Sequence, residues 1–594
     1  MKKTGSGRKV EGGGDGATGD ARPSGLSRRG FLKGAAAGAA IAQGAGLLAG
    51  APSALAATAT PERSADPQGA RPILPIGPPS KWDKEADVVV VGTGGGGLAA
   101  SVRAAEKGLK VITVEKLSEP GGGTKESALF FTFGGTRYQN AIKWAIPKFP
   151  YDPDALVELV MPAYQYTADK LLLRALATKG PECVDWMGDH GVEWELNTAN
   201  DPVFGQGGHI WKNSCLEGNY TRATKHVTDH MYGVAVRAGV EFLFGTAVTR
   251  LVQQGDRIVG VRTRNLEGED FFVRARKAVV LAAGGFAVNR DLLQKYTPYA
   301  NMGAGSSFGM PCDTGECTRM GIGAGADIAG LNSTAFFDGG VDWVHEKRGT
   351  FHQHLYNGSV QLARQPWLSI DITGNRYQYM DSVPVDNLFH QPAVPMSRPG
   401  RRGYVIFDAD YETNVFKFKQ EYCRRPLRPS MPNMDRVPGW LVGKDWREGV
   451  KVALDAGVLK QANTIEALGE QLGFAPGVLA KSVAGWNEVC ASGKDDPIYG
   501  YKPEWLIPIT KPPFYGIRMG GFLYATHAGL RVNPGMQVVS AKGAIIPGLY
   551  AAFHTAGGAI GENAVSGASI LADNGLSWAS GYIAANTIGD GDRA

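Results

Sequence analysis

The sequence predicts an α/β fold built on a Rossmann-like unit, and three observations predict it. Asp87–Val91 is a run of valines closed by Gly92-Thr-Gly94-Gly-Gly-Gly97, and a second apolar strand, Leu109–Val114, ends at Glu115. Lys277–Ala283 is another apolar run closed by glycines, Gly284-Gly285. Gly548–Ala552 reads as a last strand near the end of the chain. Short apolar runs without polar alternation suit strands buried on both faces of a parallel sheet.

Taken in chain order, the first 56 residues read as a leader. Ser27-Arg28-Arg29-Gly30-Phe31-Leu32-Lys33 precedes an Ala/Gly-rich run, Gly34–Gly50, and the small-residue cleavage signature Ala54-Leu55-Ala56. These parts resemble a twin-arginine signal peptide. The resemblance implies export already folded through the twin-arginine machinery, to the periplasm or as a secreted protein. No later run is long and apolar enough to span a bilayer, so no stable membrane span is expected after cleavage.

The chain carries 62 basic and 57 acidic residues, of which eight and three lie in residues 1–56, leaving 54 of each. A neutral mature chain lacks the basic footprint of a nucleic-acid binder. Six cysteines form no Cys-x-x-Cys pair, which argues against structural zinc, an iron–sulfur cluster and attached haem c, although Cys312 and Cys317 are close enough in sequence to pair. His345, His352 and His354 are irregularly spaced without acidic or thiolate partners, so no metal is expected.

Residues 57–82 read as a linker. Beyond it, Asp87–Val91, the glycine turn, a helix from Leu98 to Gly108 and Leu109–Val114 form a βαβ unit. Its G-x-G-x-x-G has Gly92 making the turn, Gly94 admitting a pyrophosphate and Gly97 letting helix pack on sheet. The acidic Glu115, 23 positions after Gly92, is placed to take the ribose hydroxyls. Glu241–Phe244 and Ile258–Val261 read as strands of an inserted sheet. Regular apolar spacing predicts a helix over 464–490, and Ser566-Gly567 opens a final helix.

These blocks, in order, resemble the FAD-dependent fumarate reductase and 3-ketosteroid dehydrogenase flavoproteins over residues 84–590. The likeness rests on Val91–Leu98, Glu115-Lys116 with Gly122-Gly123-Thr124, Ala282–Phe286, Asp313-Thr-Gly-Glu316, Gly374-Asn-Arg-Tyr377, Pro512–Tyr515 and Ile546–Tyr550. It implies a discontinuous FAD-binding domain, 83–329 and 516–594, around an inserted α+β capping domain, 330–515. It also implies cofactor contacts from Gly92, Gly94, Gly96, Gly97, Glu115, Lys116, Gly122, Gly123, Thr124, Ala247, Val248, Ala283, Gly284, Gly285, Asp313, Thr314, Gly315, His554, Gly567, Ser569 and Ile570. Members that tether FAD use a histidine just after the Gly-Gly-Thr block. Thr124-Lys125-Glu126 stands here, so FAD is expected to be non-covalent.

The departures narrow the branch. Positions where fumarate reductases hold a dicarboxylate fall at Phe337, Ala525 and Ala564. No arginine stands in Leu388–His390, and the relay glutamate is replaced by Thr373. Fumarate is therefore not the expected substrate. Ala335-Phe336-Phe337 resembles the aromatic pocket wall of the ketosteroid branch, but that branch's tyrosine positions fall at Phe204, Val385 and Ala564. Phe204, Phe336, Phe337 and Ala564 are the expected pocket. The catalytic candidates are His527, Tyr524, Tyr377 and His390, with His209 and Glu562 nearby. Tyr377 also reads as a structural partner of Arg376, and His527 as a loop histidine.

The expected activity is hydride transfer between flavin N5 and a carbon adjacent to a carbonyl of an apolar cyclic substrate. Electrons would be exchanged with a separate carrier, a quinone or cytochrome. Arg398, Arg401 and Arg402 leave open an enoate reductase acting on an unsaturated acid, and a flavin electron-transfer protein is the third reading.

Overall fold

The computed structural model describes residues 67–126, 134–141, 152–162, 164–196, 209–211, 223–299, 304–307, 312–341, 362, 365–377, 393–418, 446–566 and 573–591. The chain divides into two units, 1–65 and 66–594, and every described residue belongs to the second. The leader lies outside the described residues.

The α/β expectation is realised in one large sheet with strand order Gln537–Val539, Ile545–Ala551, Asp270–Leu281, Lys84–Val91, Val111–Val114, Glu241–Leu243. Every neighbouring pair from Ile545–Ala551 to Glu241–Leu243 is parallel. Lys84–Val91 lies near the centre, and its Val88, Val89 and Val90 are wholly buried, each side chain contributing about 1.5–3 kcal/mol by leaving water. The hairpin Ala247–Gln254 and Arg257–Arg264 joins through Asp270–Leu281.

Glu241–Leu243 belongs to this sheet, pairing Ile112–Val114, and not to an insertion. Its exposed edge gives it a half-buried pattern that sequence alone does not distinguish from an insert. The second half of the expected linker is also seated on the domain. Ile73 donates its amide to Arg319 O (3.0 Å) and Ile76 to Leu251 O (3.0 Å).

The helix after the glycine turn, Gly95–Glu106, begins one turn earlier than predicted. Gly94 offers no side-chain cap, and distant hydroxyls stand in for it. Gly95 N–H donates to Thr124 Oγ1 (2.9 Å) and Gly96 N–H to Ser577 Oγ (3.0 Å). Those amides would otherwise lack partners. The final helix, Asp573–Gly589, is nearly all buried and lies along Gly95–Glu106.

A second sheet is organised by the 13-residue strand Phe514–Thr526. Its first half pairs Gly403–Phe407 and Leu459–Ala462, and its second half pairs Thr334–Val341 and Ala304–Ser307. One strand thus crosses the expected 515/516 division and carries residues from the second sheet to the edge of the first domain. The helix predicted over 464–490 is two helices, Ile465–Leu472 and Val478–Ala491. Gly473 ends the first in the left-handed region (φ 81°), and Pro476 follows, which cannot continue a helix. Among the described residues no helix is long and apolar enough to cross a membrane.

Candidate functional site

The glycine turn assembles a cradle. A Cβ on Gly97 would overlap Gly92 O, so only glycine lets helix and strand meet there. Beside the turn, Thr93 donates to Glu115 Oε2 from its amide (2.9 Å) and its hydroxyl (2.7 Å), and Leu117 N–H donates to Oε1 (2.9 Å). Three donors therefore aim a buried carboxylate at the end of its strand. Thr246 N–H bonds Glu115 O (2.9 Å), which brings Ala247-Val248 alongside. Lys116 Nζ reaches Cys312 O (2.7 Å), Thr314 Oγ1 (2.8 Å) and Glu316 Oε2 (3.4 Å). Asp313 Oδ1 would lie 2.8 Å from a Cβ on Gly284, and Gly315 caps the helix Glu316–Gly323.

Gly92, Gly94, Gly96, Gly97, Glu115, Lys116, Gly122, Gly123, Thr124, Ala247, Val248, Ala283, Gly284, Gly285, Asp313, Thr314 and Gly315 thus follow the ends of the parallel strands, the loop after Val114, or the segment Lys116 gathers. Gly567, Ser569 and Ile570 lie outside the described residues. The sequence missed Trp578, whose buried indole N–H has no acceptor among the described residues and whose Nε1 would lie 2.7 Å from a Cβ on Gly95. A buried donor without an acceptor beside a glycine turn and a helix N-terminus suits a diphosphate.

At the far side of Gly284-Gly285 the two sheets meet. Phe286 N–H donates to Thr526 Oγ1 (3.1 Å), and Thr555 Oγ1 donates to Gly284 O (2.9 Å). His527 and His554 are the next neighbours of those threonines, and Asp573 joins them. Tyr524 O–H donates to Asp573 Oδ2 (2.6 Å). His527 Nε2 lies 3.1 Å from Oδ1, and His554 Nε2 lies 3.6 Å from Oδ2. The two imidazoles stack at 5.8 Å with Phe553 against both.

His527 is 1% exposed, so it is a core histidine and not one on an open loop. Burial acts to raise the Asp573 carboxyl, but His527 and His554 outweigh it and hold the group well below the usual carboxylate range. Burial, and then the Asp573 charge, pushes the Tyr524 phenol well above its ordinary value. The donor atoms of His527, His554 and Asp573 lie within 4.8 Å of one another. That is a spacing a cation also accepts, and the sequence did not anticipate it. His345, His352 and His354 lie outside the described residues.

Tyr377 is set apart from this cluster. It is packed against Gly403, under the Arg398 guanidinium (5.8 Å to the ring), and burial raises its phenol. Its neighbour Arg376 pairs with Asp496 and lies over Trp486 at 4.8 Å. Arg401 Nη1 donates to Met396 O (3.2 Å) while its guanidinium lies over Tyr299 (5.7 Å to the ring), Arg402 Nη1 donates to Arg401 O (2.8 Å), and Arg398 Nε is buried with no hydrogen-bond partner among the described residues.

Thr373 donates to Asp371 Oδ1 from its amide (2.9 Å) and serves a turn. Glu562 Oε1 accepts from Gly330 N–H (3.1 Å). Phe336 and Phe337 pair with Leu523 and Phe522 across the second sheet, and Ala564 O accepts from Thr334 N–H (3.0 Å) beside them. The side chain of His209 is not among those described, and His390 and Phe204 lie outside the described residues. Cys312 and Cys317 are free thiols, each pushed up to about 12 by burial.

A glycine cradle, an acidic strand end and a buried acid–base cluster between two sheets define a nucleotide-cofactor oxidoreductase of the doubly wound class. The chain belongs to the FAD binding domain family, which matches residues 87–570, and FAD is its cofactor. It is similar to the vinyl phenol reductase of Lactiplantibacillus plantarum, 28% identical over 80% of this chain and 91% of that protein. It is also similar to the fumarate reductase (cytochrome) of Shewanella frigidimarina, 25% identical over 82% of this chain and 74% of that one. Its fold is shared with the 3-ketosteroid Δ1-dehydrogenase of Sterolibacterium denitrificans, with TM-score 0.62 and 18% identity, covering 85% of this chain and all of that one.

Proposed function

We propose that this chain reduces the carbon–carbon double bond of an enone, or desaturates the matching ketone, on an apolar cyclic or aromatic substrate. The observation that carries the reading is the buried Tyr524–Asp573–His527 cluster, set where the strand Phe514–Thr526 meets Gly284-Gly285. When bound, without a covalent tether, FAD supplies or accepts the hydride at N5. The chain's own residues do the rest. Glu115 holds the ribose hydroxyls, the glycine turn lies against the diphosphate with the Trp578 N–H as its donor, and His527 exchanges the proton.

A carbonyl beside the reacting bond is needed because hydride arriving at the far carbon leaves negative charge on the near carbon and the oxygen. A proton delivered there completes the reduction. The relative named vinyl phenol reductase supports an apolar ring-bearing substrate. The arginines of 398–402 keep the unsaturated-acid reading as the alternative: Arg401 and Arg402 each give one donor to their own loop, while Arg398 Nε is buried with no hydrogen-bond partner among the described residues, and a carboxylate clamp needs such free donors. Electrons come from, or go to, a separate carrier such as a quinone or cytochrome. Residues 1–56 act as a twin-arginine export signal that places the folded protein in the periplasm or outside the cell.

The test is anaerobic reoxidation of the dye-reduced holoprotein by a panel of cyclic enones, ketosteroids and unsaturated acids. Reoxidation by enones or ketosteroids is expected. Exclusive reoxidation by unsaturated acids would replace the substrate class, and reoxidation by protein carriers alone would make the chain an electron-transfer protein.

A further inference from the structure

Asp573 plays no part in the sequence reading, yet it is the one group touched by every other member of the cluster. Tyr524 and His527 arrive on the end of the strand Phe514–Thr526, His554 follows Ile545–Ala551, and Asp573 stands in the first turn of Asp573–Gly589. The hydrogen bonds fix which atoms carry protons. An ionised carboxylate only accepts. The tyrosine proton therefore points at Oδ2, and the His527 hydrogen facing Oδ1 sits on Nε2. That leaves His527 Nδ1 as a buried nitrogen with no hydrogen-bond partner among the described residues, on a side chain that is wholly enclosed. A buried polar atom left open in this way marks a place for a group the chain itself does not supply.

We propose that Asp573 is the positioning residue for proton exchange, anchoring His527 through Nε2 so that Nδ1 faces the substrate. The proposal deepens the enone reading and rests on it. In the reductive direction the Nδ1–H bond breaks, a C–H bond forms at the carbon next to the carbonyl, and the ring keeps its Nε2 hydrogen. The accompanying hydride and its two electrons come from the reduced FAD, and Asp573 takes up no proton. The groups facing the ring are Asp573, Tyr524 through the same carboxylate, and the stacked His554 and Phe553. Ser333 O receives the His527 amide (3.0 Å), and Gly330 packs near the His527 carbonyl.

The experiment uses the FAD-loaded protein with Asp573→Asn, Asp573→Glu and Tyr524→Phe. The reduced forms are reoxidised either by 2-cyclohexenone or by ferricyanide, which needs no proton delivered to carbon. Asp573→Asn is expected to slow the enone reaction about 100-fold or more while leaving the ferricyanide rate within about twofold, and Asp573→Glu recovers part of the loss. Tyr524→Phe, which takes one donor from the carboxylate but leaves the His527 contact in place, is expected to lower the enone rate less than about tenfold, again with the ferricyanide rate within about twofold. This second variant keeps the test alive if Asp573→Asn loses its flavin.

Equal losses with both oxidants, a loss of about 100-fold in Tyr524→Phe, no recovery in Asp573→Glu, or a stoichiometric metal in the holoprotein whose removal abolishes turnover would each overturn the proposal. Failure of the wild-type protein to react with any enone would instead overturn the substrate reading, and the proposal with it.

Discussion

Trp578 is the residue whose chemistry most directly tests the cradle. Its indole is wholly buried on the final helix, and its N–H faces the start of the helix Gly95–Glu106 without an acceptor among the described residues. A phenylalanine there keeps most of the packing and removes only the donor. Trp578→Phe is therefore expected to weaken FAD binding by about tenfold, equivalent to roughly 1.4 kcal/mol, with little change in the apo-protein's melting temperature. Isothermal titration of apo-protein with FAD reads the first effect and thermal unfolding the second. An unchanged Kd would remove Trp578 from the site. Trp578 was hidden in the sequence because an aromatic in an apolar helix reads as core, and its orphaned N–H becomes visible only once Gly95 is beside it. Glu115 was legible because the βαβ motif fixes its distance from the glycines, whereas Asp573 stands in an apolar helix where no spacing rule marks it.

The helices Gly95–Glu106 and Asp573–Gly589, drawn from opposite ends of the chain, form the element-scale joint. They approach so closely that a Cβ on Gly581 would overlap Gly96 O, and Ser577 and Thr124 hydroxyls occupy the first amides of the earlier helix. Gly581→Val pushes the helices apart, and overpacking of this kind costs about 1–3 kcal/mol. The same shift moves the glycine turn and Trp578 that form the cofactor cradle. A lowered melting temperature together with reduced FAD occupancy is expected, and normal occupancy in a destabilised variant would separate the joint from the site. Strands with uninterrupted valines were readable because burial on both faces leaves no other use for them. The break in 464–490 was less so, since apolar spacing outweighed Gly473, Pro476 and Gly477. The helix start read at Ser566-Gly567 runs into residues 567–572, outside the described residues, while the pairing of the Ser566 backbone with Ala335 in the second sheet is a long-range contact that local pattern does not reveal.

At the scale of the whole molecule, the large sheet places Ile545–Ala551 beside Asp270–Leu281 and Lys84–Val91. The cofactor domain is therefore complete only when residues from both ends have come together. The strand Phe514–Thr526 then delivers Tyr524 and His527 from the second sheet to the ends of those strands. Alternating sheets and helices made the nucleotide domain legible, because its chemistry repeats at fixed spacing. The acid–base cluster was legible only in part, since its members sit on three elements joined by tertiary contact.

The measurement that bears most directly on this arrangement is an anaerobic titration of the fully reduced holoprotein with a cyclic enone, following flavin absorbance and product. One FAD per chain should return to the oxidised form with one equivalent of enone, yielding one equivalent of saturated ketone. A chain that takes up no FAD, or a reduced flavin that persists in excess enone and ketosteroid alike, would contradict the account.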